Sequence, residues 1–456
     1  MVRNRTKSYS MDMCSGPILP KLLRFTVPLI CSSMLQLLFN TADIIVVGRF
    51  AGENSLAAVG STSSLINLLV NLFMGLSVGA NILAAKHFGG KDDKALHETV
   101  HTAMALSLIS GLAVTMVGLF GARWILVLMQ SPPEVLELAV LYLRIYFLGM
   151  TATMLYNFGA ALLRAVGDTQ RPLYYLTLSG VVNVVLNLVF VIVFHMEVAG
   201  VALATVIAQC ISAELVVRCL IRETGAIHLD LRKLKIYAVP LKQILRVGLP
   251  AGLQGVLFSL SNVVIQSSIN TFGEMVVAGT SAASSVENFL YIAMNSIHHA
   301  TISFTSQNYG AGQYKRIRRI FFIAEGCVIV VGLTMGGLLL RFATTVLKLY
   351  TTNPFVVTHA LVRMRILCAT YFLCGMMDVA VGLLRGVGQS VLPMLVSLVG
   401  VCGLRLLWVA TIFQIPQFHT INTVYTAYPI SWAVTAIVHF ISVYFVLKQV
   451  KKQFES

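Results

Sequence analysis

Charge is what this sequence is short of. Asp, Glu, Lys and Arg make up 11% of its 456 residues, against about 25% in a typical soluble domain. Hydrophobic residues make up 57%. A chain with so little polar surface takes lipid, not water, as its solvent. Other absences narrow the function. No GxxxxGK[ST] run occurs, so no ATP-driven pump is encoded. The eight cysteines contain no CxxC pair, which points to neither a disulfide framework nor a zinc site. His298 and His299 are adjacent, so on a helix they point about 100° apart and do not chelate. No paired nucleophile and base is found, so an enzyme is not expected, nor a cofactor beyond a coupling ion. The basic start, MVRNRTKSYSMDMCSG, is not followed by a short apolar core with a small-residue cleavage site, so a removed signal peptide is not expected.

What is present is a series of long apolar runs. A transmembrane helix needs roughly 20 apolar residues, and twelve stretches qualify, from 22–47 and 56–83 to 391–413 and 425–447. If both termini are cytoplasmic, 25 of the 33 Lys and Arg fall in cytoplasmic segments, as the positive-inside rule requires. The net charge of +15 is then a topology signal and not the footprint of a nucleic-acid partner. Membrane lipid is the expected surround, the monomer the expected state, and short loops suit a bacterial inner membrane.

The chain also repeats itself. LLRAVGDTQRP at 162–172 is echoed by LLRGVGQSVLP at 383–393, which places Arg164 and Arg385 221 residues apart. LRFTVP at 23–28 answers LRVGLP at 245–250, HFGG around Gly89 answers NYGA around Gly310, and AAVGS ending at Ser61 answers VVAGT ending at Thr280. The expected organisation is an N-lobe at 1–222 (helices one to six), a cytoplasmic linker at 223–242 and a C-lobe at 243–456 (helices seven to twelve). An even number of spans per half gives both halves the same orientation, and such parallel repeats mark one class of secondary transporter. In each phrase Gly167 or Gly388 is expected to end a helix, Pro172 or Pro393 to start the next, and Arg164 or Arg385 to meet headgroups or helix C-termini.

Polar residues inside the spans are the candidates for chemistry. Helix one carries Gln36, Asn40 and Asp43 at spacings that share a face, with Met34 nearby. A carboxylate near mid-span costs roughly 2.5 to 3.5 kcal/mol on insertion scales, so it faces a cavity or a partner. No Lys or Arg lies within the apolar part of helix one, so Asp43 is either protonated or holding a cation. Helix five carries Asn183 and Asn187 one turn apart, and helix six Thr205. Their oxygens suit a small cation or a hydrogen bond to a protonated acid. In the second half helix seven has Gln254, Asn262, Gln266 and Asn270 in one stripe, helix eight has Glu287, Tyr291, Asn295 and His298, and helix ten has Asp378, whose counterpart in the duplication is Asn157. Arg405, the only cation placed at mid-span, is a possible partner of Asp378 or Glu287. Glu214 and Glu325 are read as snorkelling or packing residues.

The duplicated L-R-x-V-G phrases, FNTADIIVVG in helix one and SQNYGAGQYKR after helix eight resemble the multidrug and toxin extrusion (MATE) family, from Pro17 to Lys448. The resemblance implies an all-α membrane protein of two six-helix lobes in a V, exporting small organic cations or drugs in exchange for H⁺ or Na⁺ by rocking-type alternating access. In members with an N-lobe ion site, an Asp of helix one is joined by an Asn and an Asp of helix five and a Thr of helix six. Asp43, Asn183 and Thr205 match, whereas Asn187 stands where the second acid would be. The site then offers at most one negative charge, and desolvation of a lone acid favours proton loading. The alternative on the same fold is a flippase for a lipid-linked precursor, which calls for several cavity cations.

Overall fold

The computed structural model describes residues 9–129 and 132–455. The basic residues Arg3, Arg5 and Lys7 lie outside that range. Among the described residues every regular element is helical.

The first half runs α1 (Ile18–Phe50), α2 (Glu53–Gly89), α3 (Asp93–Leu128), α4 (Pro133–Leu148), α5 (Met150–Ala165), α6 (Gln170–Leu188) and α7 (Glu197–Arg222). The second half runs α8 (Ala238–Asn270), α9 (Glu274–Gly310), α10 (Tyr314–Arg341), the short α11 (Ala343–Leu347), α12 (Pro354–Gly386), α13 (Val391–Ser397), α14 (Leu404–Ala410) and α15 (Ile421–Glu455). Taking α4 with α5, and α13 with α14, as single passes gives twelve. Ten helical spans are apolar enough to cross a membrane, eleven when the bent α4/α5 pair is counted. The remaining long helix, α9, has 37 residues but spends several on Glu287, Asn295, His298 and His299.

Three spans read as continuous in the sequence are interrupted. The stretch at 138–162 is two helices bent by 45° about Gly149. A π-helical turn, Val189–Val193, follows α6, and another, Leu398–Gly403, joins α13 to α14. Each inserts extra backbone and re-aims the side chains beside it. Hydropathy does not register either turn, because its residues are as apolar as a regular helix.

The duplication is visible in the backbone. Gly52 and Gly273, each preceding a 37-residue helix, have φ of 87° and 92°. Gly167 and Gly388 have φ of 91° and 88°. A left-handed residue at the end of a helix lets later amides cap its orphan carbonyls: Asp168 N–H donates to Leu163 O at 3.0 Å and Gln389 N–H to Leu384 O at 2.9 Å. Pro172 and Pro393 each fall in the first turn of the next helix.

The chain packs as two compact units, one comprising Val27–Gly252 with the described residues before Met13, the other Met13–Thr26 with Leu253–Ser456. In the first, α8 crosses α2 through two small-residue motifs, GLSVG at 75–79 and GLPAG at 248–252. A Cβ on Gly75 would fall 2.2 Å from the Gly252 nitrogen, and one on Gly79 2.5 Å from the Ile244 oxygen. Backbones this close are the packing that membrane helices use where apolar burial supplies no driving force. The linker folds onto the same unit: Asp230 N–H donates to His101 Nε2 at 3.1 Å and Tyr237 N–H to Thr102 Oγ1 at 3.1 Å. The second unit holds its core between α9, α12 and α15, around Met364, Leu367, Val424 and Tyr425, all essentially buried.

Candidate functional site

In the first unit Asp43, Asn183, Asn187 and Thr205 form one hydrogen-bonded row. Asn183 and Asn187 lie one turn apart on the same face of α6, and Gly180, one turn earlier, lets α1 approach. A Cβ there would sit 1.8 Å from the Phe39 ring, so only glycine admits α1 and its Asp43 to this face. The Asn187 side-chain amide donates to Asp43 Oδ1 and, at 3.4 Å, to Asn183 Oδ1. Asn183 Nδ2 donates to Thr205 Oγ1 at 3.3 Å, and the Thr205 hydroxyl donates to Val201 O at 2.9 Å. Both asparagines are buried and Asp43 is half-buried.

Two features give this row chemical potential. No Lys or Arg stands within ion-pair range of Asp43 among the described residues. Asn187 Oδ1 is buried without a hydrogen-bond partner, and an orphaned buried acceptor is costly unless something supplies a positive charge or a donor. A protonated carboxyl beside it supplies a donor; a small cation supplies the charge.

The other first-half candidates stand apart. Gln36 and Asn40 are exposed on α1, and Met34 and Asn157 are half-buried. In the second unit the stripe on α8 splits: Gln254 is buried and accepts from Arg385 Nη2 at 2.8 Å, Asn262 is exposed, and Gln266 donates to Asn270 at 2.9 Å. Asn295 is half-buried, as is Asp378, whose carboxylate has no ion pair among the described residues. Met150, Met154, Met294 and Met377 are buried in packing.

Several side chains behave differently from the sequence-based expectation. Arg405 pairs with neither Asp378 nor Glu287. Glu287 is instead held bidentately by Arg363, with Nε and Nη2 at 3.0 and 2.9 Å from the two carboxylate oxygens. Arg363, Arg385 and Arg405 are all buried, so Arg405 is not a solitary mid-span cation. Arg385, expected to meet headgroups or a helix C-terminus, donates to the Gln254 side chain. Of the two readings given for Glu325, packing and not snorkelling describes it: it is buried and neither carboxylate oxygen has a partner. Arg363 escaped notice because the apolar run begins near Ala360, which makes it look like an end residue, whereas α12 starts at Pro354. One signal was available, because a buried Glu287 requires a cation.

HETVH at 97–101 carries two histidines at the spacing of a helical zinc site, a signal present in the sequence. His101 Nδ1 lies 2.9 Å from His97 O, and its Nε2 accepts the Asp230 N–H. The lone pair a metal would need is thus holding the linker, and no three-ligand cluster occurs among the described residues.

A family model described as MatE matches residues 28–189 and 250–410, two matches offset like the repeated phrases. The chain is similar to the probable multidrug resistance protein YoeA of Bacillus subtilis, 26% identical over 438 residues that cover 94% of each chain. It is 26% identical over 403 residues to the probable multidrug resistance protein YpnP of the same organism, covering 86% of this chain and 88% of that one. Among solved structures, a MOP superfamily transporter from Pyrococcus furiosus superposes with a TM-score of 0.90 at 24% identity, covering 96% of this chain and 98% of that one.

Proposed function

The chain belongs to the MatE family, a family of membrane transporters, and from that premise we propose that it exports small organic cations in exchange for an inward-moving ion bound at Asp43. The observation that carries this reading is an acid with no basic neighbour, hydrogen-bonded to an asparagine whose own oxygen is orphaned.

The ion we assign is H⁺. With Asn187 in place of a second acid, the row offers one negative charge, and the oxygens of Asn183 and Thr205 already accept hydrogen bonds. A proton on Asp43 turns its carboxyl into a donor, and rotation of the Asn187 amide then presents Oδ1 to receive it. Loading tightens the row and removes its charge, which releases a cationic cargo. Unloading restores the charge and attracts the next one. Exchange of one proton for one monovalent cation is electroneutral, so the membrane potential, worth about 2.3 kcal/mol per charge per 100 mV, gives no net drive. Alternation between the two faces proceeds by rocking of parallel repeats.

The test is ethidium transport into everted vesicles with pH and Na⁺ gradients imposed separately. Transport driven by the pH gradient and lost in Asp43→Asn supports the reading. Transport driven by Na⁺ alone keeps the site and changes its ion, and transport indifferent to both gradients sinks the coupling scheme.

A further inference from the structure

Arg405 follows the π-helical turn Leu398–Gly403 by two residues, and its guanidinium is buried among aromatic rings. The side chain is 5% exposed. Its carbon Cζ lies 4.2 Å from the centre of the Tyr428 ring and 5.8 Å from that of Trp432. Its one hydrogen bond is from Nε to Ser431 Oγ at 3.0 Å. Neither terminal nitrogen has a partner among the described residues, yet neither is sealed off.

Among the described residues no acid pairs with it. Glu287 is saturated by Arg363, which also lies over Tyr428, 5.5 Å from the ring centre. The ionisable side chains nearest Arg405 are Tyr428, Cys374, Cys402 and Tyr371, two phenols and two thiols and no carboxylate. Aromatic faces offset part of the burial cost of a guanidinium but leave its two parallel terminal N–H groups unused. Those groups form the fork that fits a carboxylate bidentately.

We propose that Arg405 is a subsite for the carboxylate of a zwitterionic organic cargo, Tyr428 and Trp432 holding the guanidinium from the side while its fork takes the acid. Such molecules then bind with the acid here. This rests on the reading of the chain as an exporter of organic molecules.

Direct binding separates the two. Purified protein in nanodiscs is titrated with norfloxacin, which carries a carboxylate, with norfloxacin ethyl ester, which does not, and with ethidium. The subsite predicts that the unmodified protein prefers the acid to the ester by about tenfold or more, the usual worth of a hydrogen bond to a charged group. It also predicts that this ratio falls to about one in Arg405→Gln and only part-way in Arg405→Lys, which keeps the charge but not the fork. Equal binding of acid and ester by the unmodified protein overturns the subsite without needing a folded mutant, and leaves the export reading standing. A preference that appears only in nanodiscs free of phosphatidylglycerol, and vanishes when that lipid is added, assigns Arg405 to a lipid phosphate and also overturns it. Failure of all three probes to bind overturns the export reading and the subsite together.

Discussion

The two units place charge inside their spans differently. The first holds one acid, Asp43, among neutral amides and a hydroxyl. The second holds three buried arginines, one neutralised by Glu287, one hydrogen-bonded to Gln254 and one set over aromatic rings, together with two acids, Glu325 and Asp378, that have no ion pair among the described residues. Yet the frames around them match, with left-handed glycines recurring at the same offset. What has been kept between the halves is the set of backbone conformations that turn the chain; what has diverged is the chemistry on the helix faces. The residue 221 positions after Asp43 is Val264, and the one 221 before Arg405 is Val184.

The largest expected effect is on the acid side. Asp43→Asn should reduce gradient-driven ethidium transport to background in vesicles while membrane insertion, followed by immunoblot, is unchanged; retained transport would erase the contrast between the units. Asn187→Asp should sharpen it, because a second carboxylate beside Asp43 raises the available charge to two. Ethidium transport should then respond to an imposed Na⁺ gradient.

Next comes the buried ion pair. Removing one partner of a buried pair typically costs about 3–5 kcal/mol, so Arg363→Met should lower the thermal midpoint of the purified protein sharply. Glu287→Leu in the same chain should recover most of that loss. No recovery would mean that Arg363 does more than neutralise its acid.

A smaller effect compares the repeated turns. Alanine in a left-handed position costs about 1–2 kcal/mol, and both Gly167→Ala and Gly388→Ala incur it. A Cβ at Gly167 also falls 2.6 Å from Met11 O, whereas one at Gly388 meets nothing within 4 Å. Gly167→Ala should therefore lower the unfolding midpoint further than Gly388→Ala does.

The smallest lies in the watery linker. Asp230 accepts the Arg232 N–H at 3.0 Å, and this bond, aided by Lys233, holds its carboxyl below the usual carboxylate range. A depressed folded value means that the stabilisation is full above the unfolded value, about 3.9, and fades as pH falls through the folded one. Hydrogen exchange at 230–233 should be flat above that pH, after correction for intrinsic rates, and lose protection below it.

Much of the N-unit row was readable because helical spacing is local: Asn183 and Asn187 share a face wherever α6 goes. The position of Arg405 was not, because it depends on a π-helical turn that apolar residues do not announce and on α15 placing Tyr428 and Trp432 beside it. The Glu287–Arg363 pair joins residues 76 positions apart, a distance over which sequence spacing carries no geometry.

By itself the sequence determined that lipid is the solvent, that the chain is a series of long apolar helices, and that it is a duplication. Those properties follow from composition, from the length needed to cross hydrocarbon and from turn residues whose backbone demands are local. Only the tertiary structure decided which buried charges are neutralised and which are left open. Compensation depends on which side chains from distant helices arrive within hydrogen-bonding reach, and in an apolar interior that difference of a few ångströms separates a lock from a binding group.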